Sequence, residues 1–167
     1  MGILYFKSKG EKISDDKLQK LIEVNMGRLY KFAYVYVKNE GDAKDIVQET
    51  VYKAFANIRK LNDTEMFNSW ITRILINTAM DYLKKRNKFS YGSESELENY
   101  PVKDEIHVDL YDAVDNLQGL DKTVIILKYF EDYKIKDIAT ILEISESKVK
   151  NHLHSGLNKL RLELEEI

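Results

Sequence analysis

The sequence predicts an all-α protein made of two small helical modules joined by a flexible acidic tether. Three observations predict it. Apolar residues recur at three- and four-residue spacings over long stretches, and no segment alternates convincingly with period two. A single proline, Pro101, and seven glycines in 167 residues leave helices uninterrupted and argue against a succession of β-turns. Between the periodic stretches lies one aperiodic run, Ser90–Val102 (SYGSESELENYPV), whose Ser and Glu content suits a linker. Hydrophobic residues at 44% are enough for a packed core on either side of it.

Ser14-Asp15-Asp16 opens the first helix, with a hydroxyl to cap amide protons and two acids at the positive end of the helix dipole. Leu18, Leu21, Ile22, Leu29, Phe32, Ala33 and Val37 carry the apolar pattern to about Lys38, and Asn39-Glu40-Gly41-Asp42 reads as a turn. The second helix is expected from about Ala43 to Ile58, its apolar stripe being Ala43, Ile46, Val47, Thr50, Val51, Ala54 and Ile58. Its opposite side presents Asp45, Gln48, Glu49 and Tyr52, a row that suits solvent or the docking of a basic partner helix. A loop is expected over Arg59–Met66, followed by a third helix over Phe67–Arg86. Phe67, Trp70, Ile71, Ile74, Leu75, Thr78 and Tyr82 form its expected buried side. Ser69, Thr72, Arg73, Ile76, Asn77, Met80 and Lys84 form its outward side. It ends in Lys84-Lys85-Arg86-Asn87-Lys88, cations that suit a helix C-terminus and, beside aromatics, the binding of single strands.

Beyond the tether, helices are expected at roughly 107–117, 121–131, 134–142 and 146–165. Lys134–Lys159 has the form of a helix-turn-helix. Ile135, Ile138, Ala139 and Leu142 line its first helix, Glu143-Ile144-Ser145 makes the turn, and Ser145 caps the second helix with Glu146 in its first turn. Val149, Leu153, Leu157, Leu160 and Leu164 are expected on one buried face. At about 100° per residue, Ser147, Lys148, Asn151, His154, Ser155 and Asn158 lie opposite. That face is small, polar and free of acid, so it can enter a major groove with amides and hydroxyls on base edges and lysines on phosphates.

Several function classes fall away. There is no cysteine, hence no disulfide or thiolate metal site, and His107, His152 and His154 lack the i, i+4 spacing of a helical zinc pair. No metal or other cofactor is expected. No phosphate-binding loop or nucleophile–base pair stands out, so no catalytic residue is assigned and the chain is not expected to be an enzyme. The N-terminus does not read as a signal peptide and no run approaches the roughly 20 apolar residues of a membrane span, so a soluble, cytoplasmic protein is expected. The net charge of −2 conceals segregation. Residues 58–88 carry seven Lys/Arg against three Asp/Glu, whereas residues 89–121 carry one lysine against nine acids.

Asp42–Phe55 (DAKDIVQETVYKAF) and Phe67–Arg86 (FNSWITRILINTAMDYLKKR) closely resemble the promoter-melting domain of bacterial sigma factors, and Leu120–Arg161 resembles their C-terminal helix-turn-helix domain. With only these two domains and a linker, the chain resembles the extracytoplasmic-function (ECF) class over about Leu18–Leu164. The resemblance implies a region 2-like domain over 14–88, an acidic linker over 89–106 and a region 4-like domain over 107–165. It implies docking of Asp45, Gln48, Glu49 and Tyr52 on the β′ clamp helices of core RNA polymerase, with the β subunit as a further contact. It places Asn77, Arg73, Trp70, Leu61, Asn62, Lys84, Lys85 and Arg86 on the −10 strand of promoter DNA, and Lys148, Lys150, Asn151, His154 and Ser155 on the −35 duplex. An anti-sigma factor, in many members anchored to the membrane, is an implied partner, and homo-oligomers are not expected. The family often has arginine where this chain has His152 and Ser155, and often a glycine in the −10 loop, which here reads Leu61-Asn62-Asp63-Thr64. The alternative is a stand-alone helix-turn-helix regulator, which would bind palindromic DNA as a homodimer without polymerase.

Overall fold

The computed structural model describes residues 12–89 and 112–165. The N-terminal residues, nearly all of the acidic tether and the start of the helix expected at 107–117 lie outside the described residues.

Helix α1 spans Asp15–Val37, and Ser14 accepts the Lys17 amide proton as expected of its cap. Lys38 then turns the chain with φ 50°, its N–H bonded to the Tyr34 carbonyl at 2.7 Å. Helix α2 spans Glu40–Ala56, so the residues read as a turn are its first turn. The reason is a cap. The Asn39 side chain accepts the Asp42 N–H at 2.9 Å and its carbonyl takes the Ala43 N–H at 2.9 Å. The expected loop holds two short 3₁₀ turns, Ile58–Lys60 and Thr64–Met66. Helix α3 then runs Phe67–Phe89.

In the C-terminal half, residues 112–116 are helical (α4), and α5 (Gly119–Ile125) continues into a π-helical turn, Ile126–Phe130. Helices α6 (Ile135–Leu142) and α7 (Glu146–Glu165) follow. The turn between them is closed by Glu143 in the left-handed region and by the Ile144 N–H on the Ala139 carbonyl at 3.1 Å.

Each half buries an apolar face. Leu18, Leu29 and Phe32 of α1 pack with Ile46 of α2 and with Ile71 and Leu75 of α3. Val124–Leu127 pack with Ile138 of α6 and Val149 of α7. The halves also touch, because α6 lies against α3 and the π turn against α1. This corrects the expected outward side of α3: Thr72 and Ile76 are buried, Ser69, Arg73 and Met80 are half-buried, and only Asn77 and Lys84 of that set are exposed. The seam also carries polar bonds, both inside it and at its margins. Arg28 pairs with Glu131 at 2.7 Å and donates to the Thr72 hydroxyl at 3.1 Å; Thr72 also bonds Tyr133 at 3.2 Å. Tyr36 bonds Thr123, Lys38 pairs with Asp112 at 2.7 Å, and Arg73 pairs with Glu143.

Candidate functional site

Three faces carry the polar residues singled out from the sequence. On α2, the stripe Ala43, Ile46, Val47, Thr50 and Ala54 is buried, which turns Asp45, Gln48, Glu49 and Tyr52 outward; Tyr52 is 71% exposed. Glu49 is only loosely tied, to Lys53 one turn on at 3.5 Å. Beside this row is an open groove of ≈430 Å³ between α1 and α2, lined by Ile22, Met26, Val51 and Phe55 with Gln48 at its edge. The groove was not evident from sequence, because Val51 read as an ordinary member of the apolar stripe and its α1 lining lies more than twenty residues away in the chain.

The second face is the outer side of α3 with the preceding loop. Asn62, Asn77, Lys84, Lys85 and Arg86 are exposed. Leu61, expected on the DNA strand, is 4% exposed and belongs to the core, because the 3₁₀ turn before it points the side chain inward. Trp70 is half-buried with its ring tilted 48° to Phe67 at 6.3 Å, leaving part of it accessible. Arg73 is occupied by Glu143. Arg86 reaches Asp42 at 3.3 Å, and Tyr82 donates to the same carboxylate at 2.5 Å. Burial and that carboxylate push the Tyr82 hydroxyl up to about 12, so it remains a donor.

The third face is α7. The Ser145 hydroxyl accepts the Lys148 N–H at 3.2 Å, the expected cap. The buried stripe is Val149, Gly156 and Leu160 with Leu153 half-buried, whereas Leu157 and Leu164 are exposed. At about 100° per residue Gly156 falls 20° from Val149 and Leu157 falls 80° away, so the glycine faces α5 and the leucine does not. A β-carbon at Gly156 would lie 2.8 Å from Cγ1 of Ile125, so the helices meet closely there.

Lys148, Lys150, Asn151 and His154 are exposed on the far side, with Asn158 Nδ2 3.1 Å from His154 Nε2. Ser155 is turned elsewhere. Its hydroxyl donates to Asp121 of α5 at 2.7 Å, and His152 Nδ1 and Lys159 Nζ reach the same carboxylate at 2.7 Å each. Burial opposes the Asp121 charge, but the bonds from Lys159, His152 and Ser155 outweigh it and lower its pKa to about 2. The neighbouring Lys122 is buried, bonds Asp115 at 2.9 Å and lies 5.5 Å from the Tyr36 ring; burial lowers its pKa. Sequence reasoning missed Asp121, whose partners lie 31 to 38 residues away. An acid at the edge of an apolar run (LDKTVIIL) is the one local signal.

One helical module thus presents an outward row of Asp45, Gln48, Glu49 and Tyr52, and the other an exposed polar face of α7 around Lys148, Lys150, Asn151 and His154. Comparison with known proteins identifies both modules. Sigma-70 region 2 matches residues 21–89, and Sigma-70, region 4 matches residues 107–160. The RNA polymerase sigma factor SigV of Bacillus subtilis (strain 168) is 38% identical over 138 residues, covering 81% of this chain and 83% of that protein. The ECF RNA polymerase sigma factor SigW of the same organism is 26% identical over 175 residues, covering 94% of each. In fold, the chain resembles the sigma factor RpoE of Bartonella quintana, solved in complex with the anti-sigma factor NepR. The TM-score is 0.75 at 20% identity, over 90% of this chain and 98% of that one. The chain belongs to the sigma-70 family of RNA polymerase sigma factors, within the ECF group. Its function is that of an alternative sigma factor, a non-catalytic initiation factor that directs core polymerase to promoters.

Proposed function

We propose that residues 14–88 dock core RNA polymerase and hold the −10 element, residues 107–165 read the −35 duplex, and residues 89–106 tether the two. Asp45, Gln48, Glu49 and Tyr52 meet the β′ clamp helices, where exposed carboxylates can pair with a basic partner helix. Asn77 receives an unstacked −10 base, its amide offering both a donor and an acceptor, with Asn62 and the accessible part of Trp70 beside it. Arg73, Lys84, Lys85 and Arg86 follow the strand's phosphates. On α7, Asn151 and His154 meet −35 base edges, and Lys148 and Lys150 meet phosphates. Promoter opening draws on binding energy alone, each weak contact strengthened by the others on one polymerase.

The observation that supports this reading most directly is the division of α7 into an anchored flank and an exposed, acid-free flank in helix-turn-helix geometry. A cytoplasmic location follows from the polymerase partner; among the described residues no helix is long and apolar enough to cross a membrane. An anti-sigma factor is proposed as a further partner, by analogy with the NepR complex of the Bartonella quintana relative. The test is co-elution of the full chain with core polymerase. Wild type is expected to co-elute as a monomeric subunit and to start transcription at a defined promoter. Glu49→Lys should weaken that association by about 1–3 kcal/mol with unchanged circular dichroism. A homodimer binding palindromic DNA tightly without polymerase would overturn the reading.

A further inference from the structure

The polar side chains of α7 serve two masters. Lys148, Lys150, Asn151 and His154 face outward. His152, Ser155 and Lys159 converge instead on one carboxylate, Asp121 of α5, whose side chain is 9% exposed. Nδ1 of His152 meets one oxygen at 2.7 Å; Oγ of Ser155 and Nζ of Lys159 meet the other at 2.7 Å. These donors stand at i, i+3 and i+7, one stripe spread over two turns. One such bond would leave α7 free to roll or slide against α5. Three, spread along the axis and ending on one carboxylate, restrict both motions. Gly156 lies within this span, where an added β-carbon would also come within 3.4 Å of the Asp121 carbonyl oxygen. The clasp therefore sits where the two helices are tightly packed at Gly156.

The geometry of base reading makes that restriction consequential. A helix with its side chains is roughly 10–12 Å across, so rolling it by about 10° moves an outer atom by roughly 1 Å. Recognition groups need placement to within roughly 0.5 Å. A small roll would thus spoil a bidentate contact from Asn151 while leaving flexible lysines able to find phosphates.

We propose that Asp121 is a positioning residue for −35 recognition: its carboxylate holds α7 at the roll from which Asn151 and His154 meet base edges, and it withdraws Ser155 from direct contact with DNA. This rests on the reading of α7 as the −35 helix. Asp121 touches no DNA itself, and Ser155, His152 and Lys159 act through the orientation they give their own helix.

The test uses the full chain on core polymerase, scored on a promoter library randomised at −35. Asp121→Asn keeps the side chain's shape but removes its charge. It should reduce discrimination between preferred and scrambled −35 sequences about tenfold, in the range of one good base contact, while affinity for scrambled sequences stays within about twofold. Ser155→Ala, a smaller change, should lower discrimination modestly at all −35 positions. When combined with Asp121→Asn it should add nothing further, as coupled partners do. Ile138→Val loosens the buried core of the same module without touching the clasp and should leave the base preferences intact. The proposal is overturned if Asp121→Asn keeps wild-type preferences, or if its losses match those of Ile138→Val. It is also overturned if Ser155→Ala erases preference at a single base position, which would make Ser155 a reader. Wild-type holoenzyme with no −35 preference would instead overturn the reading of α7, and this proposal with it.

Discussion

Asp121 joins the chemistry of a single group to the stability of the C-terminal half. Its pKa falls from 3.8 to about 2 because the bonds from Lys159, His152 and Ser155 outweigh the cost of burial. A folded-state pKa below the unfolded one means that this contribution is complete above about pH 4 and disappears as the pH falls to about 2. The shift corresponds to on the order of 1–2 kcal/mol, discounted because Lys159 is more than half exposed and its share is screened. Urea titrations between pH 2 and 5 should therefore show a stability step in wild type that is absent in Asp121→Asn. Parallel curves for the two proteins would mean that the carboxylate's charge contributes nothing to the fold. Lys122 illustrates the opposite case: it is buried beside Asp115 and its pKa is lowered, so burial costs more than its partner returns.

Helix α7 keeps two sets of polar side chains on separate flanks, one bonded to Asp121 and one exposed. Gly156 measures how tightly the inner flank is held. In an exposed helix, glycine to alanine would stabilise by roughly 1 kcal/mol. Here the new methyl would press on Ile125, itself 1% exposed and without room to move. Overpacking of this kind costs roughly 1–3 kcal/mol, so packing outweighs propensity and Gly156→Ala should lower the melting temperature. An increase would mean that α5 and α7 have slack between them. On the outer flank the expected division follows from chemistry. Asn151→Ala should relax −35 sequence preference, because an amide can pair with adenine at two points. Lys150→Ala should weaken all sequences alike and reduce the salt dependence by about one unit. Binding assays on the −35 library at two salt concentrations separate the two effects. An unchanged consensus in Asn151→Ala would show that this side chain reads no base.

For the whole molecule, the decisive feature is the seam between the halves. The buried apolar residues of the two halves form one continuous cluster, and polar links add to the seam: Arg28 with Glu131 and Thr72, Tyr36 with Thr123, Lys38 with Asp112, and Arg73 with Glu143. One buried nitrogen of Arg28 has no partner among the described residues, a cost of roughly 1–3 kcal/mol that weakens the join. In the proposed function, a −10 strand that engages Arg73 must displace Glu143. Arg28→Ala would leave Glu131, 8% exposed, without its cation at a cost of about 3–5 kcal/mol. Parting the halves returns Glu131 to water, so the variant should show a larger radius of gyration by X-ray scattering with unchanged helical dichroism. Unchanged dimensions with a lower melting temperature would place the pair's contribution inside the fold.

Periodicity alone determined the all-α class, the α7 span and the outward row of α2, because a helix facing one neighbour prints its 3.6-residue period directly on the sequence. The caps at Ser14 and Ser145 were legible for a similar reason, being contacts within one turn. The turn read at 39–42 became the start of α2 because Asn39 caps from outside the apolar pattern. Only the tertiary structure decided the second face of α3, where Thr72 and Ile76 are covered by a module far along the chain. It alone put Leu61 in the core, Gly156 in place of Leu157 against α5, and Ser155 on Asp121 instead of on the outward face. These were hidden because a helix carrying two contact faces has no single period, and a polar side chain reads the same in sequence whether its partner is water, DNA or a carboxylate 34 residues away.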